Sequence, residues 1–173
     1  MTKKILSLVL GAAMCLSLLA ACGTPAAQPT PTPAPLTGEE LAAHYKEAIT
    51  AARSDEENEY NTIATTDEDM GSLAWEILGL TPDQFDAYAV SISLMNIKAY
   101  CIGLFKPVEG QEEAVTTALQ AYVDQIESNF TSYLPDQLTI AQNAILKTLD
   151  DGTVLLVMCD GQDAVAEAIE AAL

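Results

Sequence analysis

Four cysteines and a single histidine are the side chains of this 173-residue sequence best suited to covalent or acid–base chemistry. Cys22 stands where an apolar run stops, in Leu19-Ala20-Ala21-Cys22, and proline follows at Pro25. Two small residues, Ala20 and Ala21, stand directly ahead of this thiol. Cys15 lies in the same run behind Met14, which breaks the small-residue pattern, and reads as apolar filler. Cys101 and Cys159 fall in expected strands. A disulfide between them is chemically allowed outside a cell, but two buried small hydrophobes are the preferred reading. His44 falls on an expected helix, where an exposed surface histidine is favoured over a general base. Asp67-Glu68-Asp69-Met70-Gly71 resembles the start of a calcium loop, yet it lacks the third oxygen ligand before the glycine and the later bidentate glutamate. No Gly-x-Ser-x-Gly elbow, His-Glu-x-x-His pair or glycine-rich phosphate loop occurs. The expectation is therefore no catalytic constellation, no metal site and no cofactor.

The segments around Cys22 give its thiol a setting. Lys3-Lys4 supply a positive start, and the uncharged run from Ile5 to Ala21 spans 17 residues, short of the ~20 a membrane-spanning helix needs. A signal peptide over residues 1–21 fits better. Leu19-Ala20-Ala21-Cys22 resembles the lipobox of bacterial lipoproteins, in which the cysteine takes a diacylglyceryl group as a thioether. That resemblance implies that the small residues let the backbone enter a peptidase site, with cleavage between Ala21 and Cys22, lipidation at Cys22 and firm anchoring, since two acyl chains hold where one binds marginally. Beyond it, Pro25, Pro29, Pro31, Pro33 and Pro35 alternate with Thr and Ala, a composition that prefers polyproline II and buries no core. Residues 22–37 are thus expected to be a lipidated cysteine and a tether, with 23–37 reaching about 45 Å at ~3.1 Å per residue. The implied location is the extracytoplasmic face of a cell membrane, with membrane lipid as partner through Cys22.

Charge narrows the partners. There are 25 acidic residues against 7 basic ones, for a net charge of −18. Such a surface is repelled by phosphate backbones, which excludes nucleic acid. Solubility explains most of it, while attraction of cationic peptides or divalent metals is the sharper reading.

The remainder is globular. Thr37-Gly38-Glu39-Glu40 forms a capping-box pattern ahead of a narrow, Ala-rich stripe through Leu41, Tyr45, Ala48, Ile49 and Ala52, which predicts a helix either lightly docked or partly independent. Residues 54–69 read as an acidic loop. Short helical turns are expected around 71–78 and after Thr81-Pro82. From Tyr88 the period becomes two, with Val90, Ile92 and Leu94 inward, predicting a half-buried strand. Lys98 to Lys106 is a second strand, and a long helix follows Gly110-Gln111 until Pro135 halts it. Asp150-Asp151-Gly152 joins strands at 144–149 and 154–159, and a last helix begins after Gly161-Gln162. The two Gly-Gln starts hint at an internal repeat. The fold class expected is α+β: an antiparallel four-stranded sheet from two hairpin–helix units (ββαββα), helices on one face, preceded by N-terminal helices. The domain reading is signal peptide 1–21, tether 22–37, N-terminal helix and acidic loop 38–65, and globular domain 66–173.

From about Thr66 onward the chain resembles the bacterial family named domain of unknown function 4358. The residues that carry the likeness are "LGLTPDQFDAYAVSISLMNIKAYCIGLFK", the helix ending "NFTSYLPDQ" and "DDGTVLLVM". Members commonly carry a lipoprotein leader and often have Glu where this chain reads Tyr100-Cys101. The resemblance implies a fold and a location and assigns no activity. The functional expectation is a non-catalytic binding or interaction module for an extracytoplasmic protein or ligand, with a cationic one in view. A cell-envelope hydrolase using carboxylates is the alternative.

Overall fold

The computed structural model describes residues 36–66 and 70–173. Residues Pro35–Leu173 form one compact unit. Its order is α1 (Gly38–Ala52), α2 (Asp55–Tyr60), β1 (Ala64–Thr65), α3 (Ser72–Leu78), a 3₁₀ turn (Pro82–Gln84), β2 (Phe85–Ile92), β3 (Cys101–Pro107), α4 (Glu112–Phe130), α5 (Pro135–Gln142), β4 (Ile145–Thr148), β5 (Val154–Met158) and α6 (Gln162–Ala172).

The α+β class holds, with antiparallel pairing throughout the sheet, but the four-stranded, one-faced version does not. The sheet has five strands in the order β1-β2-β3-β5-β4. Helices cover both faces. On one side Cys101, Phe105, Val154, Leu156 and Met158 meet α3, α4 and α5 through Trp75, Leu119, Tyr122, Phe130 and Ala141. On the other, Ala87, Ala89, Ile102, Leu104, Leu155 and Val157 meet α1 and α6 through Tyr45, Ile49, Val165 and Ile169. The cause lies in the strands. Every residue of β5 is buried, and so are the first five of β3, so neither strand has a face it can give to water.

β2 shows why its sequence suggests a single helical layer. Ala89, Ser91 and Ser93 read as a weakly polar outer face, yet Ala89 and Ser91 are buried and Ser93 is half-buried. Ala87 and Ala89 lie opposite the Ala42 and Ala48 stripe of α1, small against small, which lets the helix axis approach the sheet closely. The Ala-rich stripe is therefore a close-packing device and not a sign of light docking. Tyr45 and Ile49 fill what remains, at 1% and 0% exposure. Leu94, expected inward, lies past the strand end and is exposed with Met95 and Ile97 at the β2–β3 tip.

Several local signals resolve differently from expectation. Thr37 precedes α1 but its side chain makes no cap bond. The capping box that forms is Ser54 with Glu57, which opens α2 inside the expected acidic loop. Pro135 does not end the long helix. It occupies the first turn of α5, after Leu134 turns the chain at a left-handed φ of 52°. Asp150-Asp151-Gly152 does make the β4–β5 hairpin, with Gly152 at a φ of 85°. The two Gly-Gln starts are not equivalent: Gln111 is the N-cap of α4, Gly161 that of α6, and these helices cover opposite faces.

Packing of α1 makes a stability prediction. Ile49→Ala should destabilise the protein by about 2–5 kcal/mol, the cost of truncating a fully buried aliphatic side chain. Urea unfolding followed by circular dichroism reads it; a loss under about 1 kcal/mol would mean that α1 is only lightly held.

Candidate functional site

α1 runs along the sheet from one end to the other. The Tyr45 hydroxyl lies 2.6 Å from Thr153 Oγ1, beside the β4–β5 hairpin, while Arg53 reaches Ser91 and Tyr100 at the end where β2 gives way to β3. The chain thus enters the folded unit at the hairpin end. The opposite end collects the turn after α1, the β2–β3 connection, the start of α5 and the turn between β5 and α6.

Arg53 organises that far end. It is 7% exposed, and its guanidinium donates from Nε and Nη2 to Asn58 Oδ1 at 3.0 and 2.7 Å, and from Nη1 to Ser91 Oγ at 3.1 Å and to the Tyr100 hydroxyl at 3.0 Å. Asn58 in turn donates to Thr50 O at 2.9 Å. A single buried cation therefore ties α1, α2, β2 and the entry to β3 together through neutral acceptors. Burial pushes the Tyr100 hydroxyl up in pKa despite the opposing Arg53 bond, so it stays protonated. On the other side of Tyr100, Gln137 of α5 accepts from Ala99 N–H at 2.8 Å, which fixes α5 against the β2–β3 connection.

Between these elements lies a cleft of about 810 Å³, lined by Ser54, Glu57, Lys98, Tyr100, Asp136 and Asp160 among others. It continues into a hollow of about 570 Å³ that shares Thr139, Ile140 and Asp160 and reaches Asn143, Gly161 and Gln162. Asp136 and Asp160 are exposed and Glu57 is half-buried. The Lys98 ammonium lies 5.1 Å from the centre of the Tyr100 ring, a cation–π distance. Gln162 is 8% exposed; its Nε2 donates to Asn143 O, and its Oε1 has no partner.

The residues singled out by their chemistry in the sequence scatter around this site. Cys159 lines the hollow but is buried, and burial, with Glu57 and Asp160 adding to it against Arg53 and Lys98, pushes its thiol up to about 12. Cys101 is pushed up by burial as well, on the other face of the sheet. Both thiols are free. Cys101 pairs with Met158, and the strand alternation then sends Cys159 to the opposite face. His44 sits half-buried at the hairpin end, in a separate hollow of about 530 Å³ with Tyr45, Lys147, Asp150, Asp151 and Glu170. There partial burial would raise the Asp151 carboxyl, but bonds from Thr153 and the Lys106 ammonium outweigh it and hold the group below the usual carboxylate range. Cys15, Ala21, Cys22 and Asp67-Glu68-Asp69 lie outside the described residues. Among the described residues no cluster of His, Cys, Asp or Glu has a metal-binding arrangement, and no helix is long and apolar enough to cross a membrane.

With this geometry in place, comparison with known proteins gives a family. The model described as "Domain of unknown function (DUF4358)" matches residues 46–159. This chain belongs to that family. The match begins inside α1, well ahead of Thr66, in keeping with a helix that is part of the core. It takes in Arg53 and most of the cleft and stops ahead of α6. No curated protein and no solved structure matches the chain.

The cleft of this DUF4358 protein has no activated nucleophile among its described residues. At pH 8 a thiol with a pKa near 12 is ionised in about one molecule in ten thousand. Iodoacetamide should therefore leave the Cys101 and Cys159 peptides unlabelled in the native protein and label both in urea, as read by mass mapping. Native labelling of Cys159 at the rate of an exposed thiol would contradict this.

Proposed function

We propose that this chain is a lipid-anchored, extracytoplasmic bacterial lipoprotein whose folded unit is a non-catalytic binding module. The observation that carries the reading is the apolar run from Ile5 to Ala21 closing in Leu19-Ala20-Ala21-Cys22 and passing into a proline-rich tether. Diacylglyceryl transfer to the Cys22 sulfur would hold the protein at the membrane. Because α1 begins at the hairpin end, the cleft beside Tyr100 lies at the end of the folded unit remote from where the chain enters it. The exposed Leu94, Met95 and Ile97 stand on the same end and favour contact with a partner.

The hydrolase alternative needs a carboxylic acid kept protonated by burial. Asp136 and Asp160 sit in the open on the cleft rim, which suits charge recognition better than proton donation.

Metabolic labelling with radioactive palmitate tests the anchor. The wild-type chain should incorporate label, and Cys22→Ala should incorporate none and retain its leader. Equal labelling of the two would remove the lipoprotein reading.

A further inference from the structure

We infer that the cleft and its adjoining hollow bind a primary alkylammonium group, of the kind carried by a lysine side chain or a polyamine, in the place over the Tyr100 ring that Lys98 occupies. This rests on reading the folded unit as a binding module.

Three observations converge on this chemistry. The first is an excess of acceptors. Glu57, Asp136 and Asp160 line the cleft and Asp163 the hollow, against Lys98 as the one cation lining either among the described residues. The second is Gln162, which lines the hollow at 8% exposure and whose buried Oε1 accepts nothing, so the wall of the hollow carries an unmet acceptor. The third is Lys98 itself. Its ammonium rests over the Tyr100 ring and makes no ion pair among the described residues, so it marks where an alkylammonium fits without being locked in. Lys98 is exposed and free to swing away, and an incoming amine would gain the same ring face and the surrounding carboxylates.

An anion fits less well. Arg53 lies behind Tyr100 with its bonds given to Asn58, Ser91 and Tyr100, and does not line the cleft. The first turns of α5 and α6 already hold Asp136 and Asp163, which answer the positive ends of those helices.

The test titrates the full chain, in nonionic detergent, with tri-lysine amide and with spermidine, reading affinity by calorimetry and position by amide chemical shifts. Shifts should centre on residues 98–100 and 160–162. Asp136→Asn with Asp160→Asn should weaken binding about ten-fold. Glu112→Gln with Glu113→Gln removes the same charge at the exposed start of α4 and should change it less than about two-fold. Lys98→Met should tighten binding several-fold by removing the internal competitor. Tighter binding of the peptide identifies a basic peptide as ligand, and tighter binding of spermidine a free polyamine. The inference is overturned if neither probe binds, if the control pair weakens binding as much as the cleft pair, or if Lys98→Met abolishes it. Should the cleft pair fail to fold, the exposed Lys98→Met substitution still decides. Palmitate uptake at Cys22 is untouched by any of these results, so failure here leaves the anchor reading standing.

Discussion

A sheet whose central strands are apolar on both faces cannot leave either face in water, and that constraint shapes everything else in this protein. β5 buries all of Val154–Met158, with alternate residues in separate cores. Antiparallel sheets more often keep one face wet, so a second helical layer here is a demand of the strand sequence and not of the topology. α1 and α6 meet the demand on one side, and α3, α4 and α5 on the other. Helices on both faces bring their ends to both ends of the strands, and clefts form where those ends fail to meet. The candidate site is such a place: α1 leaves it, α5 and α6 begin at it, and the sheet floors it.

Arg53 connects that packing to the site. A guanidinium at 7% exposure would normally require a carboxylate, but its partners are an amide oxygen and two hydroxyls. Neutral acceptors satisfy its N–H groups without neutralising its charge, so desolvation remains a standing cost. The return is positional. One rigid fork fixes four chain segments and holds the Tyr100 hydroxyl, whose ring then has a set orientation toward Lys98. Exchange for lysine would keep the charge and lose the fork, because a single ammonium cannot span Asn58, Ser91 and Tyr100 in that geometry.

Much of the fold is legible in the sequence. The β2–β3 pair, the long amphipathic α4, the Asp150-Asp151-Gly152 hairpin and the C-terminal helix follow from periodicity and turn chemistry. What fails has a common cause. Alanine is ambiguous: Ala42, Ala48, Ala87 and Ala89 read as weak hydrophobicity one element at a time and become a close interface only when paired. Pro135 is ambiguous in the same way, since proline stops one helix and starts another by the same missing N–H. The site is not legible at all. Its residues come from segments near 54–57, 98–100, 136–140 and 159–163, each ordinary on its own surface, and the signal is their meeting. Arg53 alone leaves a trace, as a rare cation closing an apolar stripe.

The excess of acid gives the last step. A net charge of −18 spread over a surface attracts any cation weakly and selects none, because exposed charges are screened beyond a Debye length of about 8 Å at physiological salt. Selection needs concavity, which brings carboxylates within that distance of one point and removes part of the water between them. Three other cations of the folded unit respect this distinction. Lys106 and Lys147 each pair with an acid, Asp151 and Glu170 respectively, and Arg53 is sealed among neutral partners. Lys98 instead stands in the cleft over an aromatic ring, beside acids it does not pair with. A cation placed where the field is focused lowers the cost of gathering those carboxylates while the cleft is empty, and it is held weakly enough to be displaced. In so acidic a molecule, that lysine distinguishes a surface that merely repels its own kind from one shaped to receive an amine.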